Sequence, residues 1–189
     1  MPDPWVIRRP WLAAWLALTP IALLRAGTFA ESDTFWQIRT GLIELDSGAL
    51  VRTDPFTWTR AGQPWIQNSW GYNVLDGLAY RAAGLPGVAL FNAALVMAVF
   101  GVILAIGKRV GASPRATVMV ILASTPAIIV FLNARPQLVD YIAFGICLLL
   151  ADDLWQARPN RSARLGALAL TCLVWANMHP ATLTFTVVA

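Results

Sequence analysis

Apolar stretches and short polar punctuation alternate along the chain, and their spacing predicts helices almost throughout. Residues 11–24 are nearly all apolar, with Pro20 placed to kink the helix they predict. The mixed stretch 28–85 follows, and no run in it is apolar enough to cross a bilayer. Within it Phe35, Trp36, Ile38, Leu42, Ile43 and Leu45 recur at roughly helical spacing. They predict a helix from Ser32 or Asp33, either of which can cap it, to about Asp46, with Gly48 as the stop. Asp54-Pro55 marks a turn, and Thr57-Trp58-Thr59 reads as a short extended piece. A second helix is predicted from Asn68 or Ser69 to about Ala83, ended by Gly84. Trp70, Val74, Leu75, Leu78 and Ala82 form its apolar face, leaving Asn73, Asp76 and Arg81 to the rest. Both helices read as lying in a membrane interface on their apolar faces.

Four further apolar segments follow, at 87–107, 116–133, 137–151 and 165–185. With 11–27 they predict an all-α membrane protein of about five transmembrane helices, with 28–85 as a long, partly helical first external loop. The basic residues orient it. Arg8 and Arg9, then Lys108, Arg109 and Arg115, then Arg158, Arg161 and Arg164 all fall on one side, the cytoplasmic one. The first segment reads as a retained span, because Arg25-Ala26-Gly27 is a poor cleavage site and more apolar segments follow. The last segment runs to Ala189 without a polar tail or basic stop, so the sequence reads as the N-terminal part of a longer chain.

Composition supports the membrane reading: 58% of residues are hydrophobic and 13% charged, outside the usual soluble range. The net charge of +4 forms no patch, which argues against a nucleic-acid partner and leaves membrane lipid as the expected one. Cys147 and Cys172 lie in apolar runs and read as inert thiols.

Three external places hold candidate chemistry. Glu31 and Asp33 stand at a helix entrance, where such a pair suits a divalent cation or a base, and where Asp33 equally suits a simple cap. Arg135, at a turn between two spans, suits a phosphate or carboxylate, or an ion pair with Asp140. His179, the only histidine, suits proton transfer, phosphate donation or metal binding, or a hydrogen bond between helices. Trp58, Trp65, Trp70 and Trp175 suit stacking on a sugar or polyprenyl chain, and suit interfacial anchoring more. The chain has no nucleophile elbow, phosphate-cradling glycine loop or HExxH.

The runs DTFWQIRTG (33–41), TDPFT (53–57), GQPW (62–65), RPQ (135–137) and WANMH (175–179) resemble motifs of bacterial polytopic membrane proteins grouped with glycosyltransferases of the GT-C type. The resemblance runs from Asp33 to His179 and covers the N-terminal part of a typical member. It implies a multi-pass protein of the bacterial cytoplasmic membrane that takes sugar from a polyprenyl-phosphate donor to an acceptor on the outer face. It makes Asp33, then Glu31, the catalytic or metal-binding acid, with Mg or Mn as the cation. Arg135 would bind the donor phosphate and His179 would assist. Gln137, Asn177 and Trp36, within the same motifs, are substrate-binding candidates. Two departures stand out: the acidic group is Glu-Ser-Asp rather than Asp-x-Asp, and Asn68 and Ser69 stand where members often carry an acid or histidine. The alternative function is non-enzymatic, as a transporter subunit or a cell-envelope assembly partner.

Overall fold

The computed structural model describes residues 9–26, 28–29 and 32–179. Glu31 lies outside the described residues, as do parts of the predicted 11–27 and 165–185 segments. The described chain is all-helical: α1 (Pro10–Ala17), α2 (Thr19–Ala26), α3 (Asp33–Ser47), a long helical stretch Trp70–Arg109, α6 (Pro114–Ile128) with a 3-10 turn Ile129–Phe131, α7 (Gln137–Trp155) and α8 (Arg161–Met178). The long stretch is broken at Ala83 and Gly84, and its two arms are α4 (70–82) and α5 (85–109).

Local chemistry explains the boundaries. Gly48 ends α3 in the left-handed region at φ +66°, its N–H donating to the Glu44 carbonyl. Gly84 takes φ +62° and ψ −149°, a combination open to glycine, and the chain doubles back there. Tyr72 and Phe91, on opposite arms, come within 5.9 Å between ring centroids. The α1–α2 interruption falls at Leu18, just before Pro20, as the proline predicts. Ser113 caps α6 by accepting from Ala116 N–H at 3.1 Å.

The α5 helix is the axis of the core. Ala93, Val96, Val99, Phe100 and Leu104 pack with Leu18, Ala22 and Ala26 of the first two helices, Ile121 of α6, and Leu132 and Leu138. Trp15 donates its indole N–H to the Met97 carbonyl at 2.8 Å and so pins α1 to α5. A smaller cluster of Ala143, Cys147 and Trp175 joins α7 to α8. There the sulfurs of Cys147 and Cys172 sit 4.0 Å apart, with both residues free cysteines.

By length and composition, two described helical stretches can cross a membrane, Trp70–Arg109 and Pro114–Phe131. Two expectations need correction. The first apolar segment is split into two eight-residue helices. Within α7 stand Asp140, Asp152 and Asp153, and α8 begins with Arg161 and Arg164, ahead of the predicted segment. Thr57–Thr59 is no extended piece but leads into a turn, held by Asp54, whose carboxylate accepts from the Phe56 and Thr57 N–H groups and the Thr57 hydroxyl. Extended pairing occurs instead as one bridge between Thr53 and Pro64.

The buried faces of the first loop helices are mostly polar. In α3 and α4 the polar and small residues face inward: Thr34, Gln37, Thr40, Gly41 and Glu44 on one, Gly71, Tyr72, Asn73, Asp76 and Gly77 on the other. Phe35, Leu75 and Leu78 are exposed. This inverts the water-soluble arrangement and suits a helix pair surrounded by lipid. The backbones touch at Gly41 and Gly77, where a Cβ on Gly41 would lie 1.8 Å from the Asn73 carbonyl oxygen.

Asp76 is fully buried, and neither carboxylate oxygen finds a hydrogen-bond partner among the described residues.

Candidate functional site

The N-terminal end of α3, the 65–69 segment leading into α4, the turn before α7 and the end of α8 meet around a cavity of about 300 Å³. Asp33, Trp36 and Gln37 come from α3, Asn73 from α4, Arg135 and Gln137 from the turn, and His179 from the end of α8. Two tethers hold this assembly. The Thr34 hydroxyl donates to the Ala134 carbonyl at 3.1 Å, fixing α3 to the turn. Trp70 donates its indole N–H to Asn177 Oδ1 at 3.1 Å, fixing α4 to α8.

The charges are arranged in two pairs. Arg135 Nη2 lies 3.1 Å from Asp33 Oδ2, and Trp36 donates its indole N–H to Asp33 Oδ1 at 3.1 Å. Both partners of the first pair remain partly exposed at the cavity wall. Asp140 is not the partner of Arg135. It faces His179 instead, with Oδ2 2.7 Å from Nδ1, while Oδ1 accepts from Trp175 Nε1 at 2.6 Å.

The rest of the wall is polar and underused. Gln37 Oε1, Asn73 Oδ1 and Gln137 Oε1 are buried and find no hydrogen-bond partner among the described residues. Buried amide groups left this way call for donors from a ligand or water. Trp65 presents an aromatic wall, its ring 5.6 Å from Trp36 and 6.0 Å from Phe56, both edge-on. The cavity can therefore take a hydroxylated ring with an attached anion: amides and indoles for the ring, a guanidinium for the anion, and an imidazole in reach.

Of the residues singled out from the sequence, Asp33, Trp36, Arg135, Gln137 and His179 border this one cavity. Asn177 does not; its side chain ties Trp70 and bonds back to the Leu173 carbonyl at 2.7 Å. Sequence reading missed Gln37, Asn73 and Asp140. Gln37 stands one helical turn after Asp33, and Asn73 one turn after Ser69, so helical spacing already put them on the same faces.

A divalent cation needs several oxygen donors. The described residues offer one acid at the wall, Asp33, and both its oxygens are engaged. No group of three potential metal ligands gathers among the described residues. Asp33 alone does not make a cation site, and Glu31, the other expected ligand, lies outside the described residues.

Comparison with protein-family models, with curated proteins and with solved structures finds no match.

Proposed function

We propose that the protein is an integral membrane glycosyltransferase that moves a sugar from a polyprenyl-phosphate donor to an acceptor on the outer face of the bacterial cytoplasmic membrane. The observation that carries this reading is the wall of the cavity, where Arg135 stands beside three unsatisfied buried amide oxygens. Sugar hydroxyls donate to amide oxygens, and a guanidinium fork matches a phosphate. The sequence resemblance to GT-C proteins supports the same chemistry.

In this reading the apolar segments 11–27, 87–107, 116–133, 137–151 and 165–185 are five spans. The distribution of charge supports the topology. Asp153 gathers Arg109, Arg158 and Arg164 at the end of α7 and start of α8. Those arginines hold its carboxyl below the usual range, Arg109 foremost. The cavity lies at the other end of the same two helices, away from the arginine excess.

Before substrate arrives, Asp33 holds Arg135 at the cavity wall. When the donor phosphate engages the guanidinium, Asp33 is released beside the anomeric carbon, where its negative charge faces an oxocarbenium-like transition state.

The test is direct. The full chain in lipid nanodiscs, given polyprenyl-phosphate sugars and a hydroxyl acceptor, is expected to release polyprenyl phosphate and glycosylate the acceptor. Failure with every sugar tried, in a chain shown to be folded, would sink the enzymatic reading in favour of a transport or assembly role.

A further inference from the structure

We propose that Asp140 is a positioning residue that fixes His179 as the group taking the acceptor's proton. The inference rests on the glycosyl-transfer reading and adds the identity of the base.

Geometry leads to it. Asp140 sits one helical turn into α7, with its side chain 14% exposed. Its two oxygens have separate duties. Oδ1 is held by the indole N–H of Trp175, itself buried. That bond holds the carboxylate with Oδ2 2.7 Å from His179 Nδ1, an ion-pair contact without hydrogen-bond alignment. Trp175 lies in the last turn of α8 and His179 is its extended C-cap, whose backbone N–H donates to the Trp175 carbonyl at 2.9 Å, so the helix end brings both side chains to one carboxylate. The imidazole lies at the cavity wall, together with the charged groups Asp33 and Arg135.

A carboxylate beside Nδ1 favours the neutral tautomer that carries its proton there, which makes Nε2 the basic nitrogen. Once the donor phosphate has taken Arg135, Asp33 faces the charge developing at the anomeric carbon, which leaves His179 at the cavity wall as the proton acceptor. In the transfer step the acceptor hydroxyl oxygen bonds to the anomeric carbon. The carbon–oxygen bond to the donor phosphate breaks, and its electron pair stays on the departing polyprenyl phosphate at Arg135. The hydroxyl proton moves to His179 Nε2, and Asp140 faces the resulting imidazolium. Loss of that proton to solvent resets the site.

The chain has a single histidine, so its ring nitrogens can be read without assignment. The full chain, labelled with ¹⁵N in histidine and held in nanodiscs, is examined by NMR at one fixed pH for the wild type and its variants. The expected spectrum has a protonated Nδ1 and a bare Nε2. In Asp140→Asn the amide can donate to Nδ1, so the proton is expected on Nε2 and transfer falls about 10²- to 10⁴-fold, the usual worth of a general base. Asp140→Glu is expected to restore the wild-type tautomer in part. Trp175→Phe keeps the carboxylate but frees Oδ1, and a mixed population is expected. A proton on Nε2 in the wild-type protein overturns the proposal, whatever the variants do. So does an Asp140→Asn protein that transfers sugar at the wild-type rate. If the tautomers behave as expected but no polyprenyl-phosphate sugar is ever consumed, the carboxylate–imidazole pair stands and the glycosyltransferase reading falls.

Discussion

Arg135→Ala is expected to reduce sugar transfer by about 10²- to 10³-fold, the cost of deleting one charge-stabilising donor at a leaving group. Two effects combine in that loss. The donor phosphate loses its two-pronged partner, so binding of polyprenyl phosphate weakens as well. Asp33 loses its counter-ion and is left at the wall with only the Trp36 indole to meet its charge. Arg135→Lys is expected to recover part of the binding and little of the rate, because an ammonium is a point charge without the planar fork. Asp33→Asn should divide the two effects differently. The arginine then loses one carboxylate partner and keeps its fork, so donor binding is kept while turnover falls. Steady-state kinetics beside a direct binding measurement separate the cases. Wild-type turnover in Arg135→Ala would remove the phosphate site from Arg135.

Gly41→Ala is expected to cost about 3 kcal/mol, near the top of the range for overpacking. The added carbon would lie 1.8 Å from the Asn73 carbonyl oxygen and 2.5 Å from its carbon. Those are backbone atoms, which cannot rotate away, so α3 and α4 must separate. Gly77 repeats the constraint from the other side, with its Cβ position 2.8 Å from the Gly41 backbone. Separation also opens the cavity, since Asp33 and Gln37 ride on α3 and Asn73 on α4. Gly166, also helical, has open space around its Cβ position, and Gly166→Ala is expected to be neutral or stabilising by up to about 1 kcal/mol. Thermal denaturation in one detergent compares the two. Equal melting temperatures for Gly41→Ala and wild type would mean that the two helices do not meet at this glycine.

Helix positions were legible where a local signal fixes them. Gly48 and Gly84 ended helices as read from the sequence, because each needs a backbone conformation that other residues avoid. Pro20 broke the first segment for the reason it gives in any helix. Burial was less legible. Periodicity located the apolar face of α4, read as turned to the membrane, but not what its opposite, polar face packs against. That gap concealed Asn73 and Asp76, which take the inner positions.

The site was legible as a set of stretches and less so as a set of partners. Asp33, Arg135 and His179 could be expected near each other once their segments were placed on one side. Their pairing could not. Asp140 follows Arg135 closely in sequence, which made it the obvious ion-pair partner, yet its position on α7 directs it to α8. Proximity along a chain says little across a turn that reverses direction.

The outward leucines and inward amides of α3 and α4 also govern height. Raising the pair toward water strips lipid from Phe35, Leu75 and Leu78, while lowering it draws Asp46 and Arg81, ion-paired at the surface, into hydrocarbon. In the proposed membrane reading the helices keep one depth, as a moored raft does, and the cavity between them and the α7–α8 end keeps it with them. A lipid phosphate rides at nearly the same depth on its own account. Arg135 and its anion would meet at a shared level, so that the search for substrate takes place in a plane rather than in a volume.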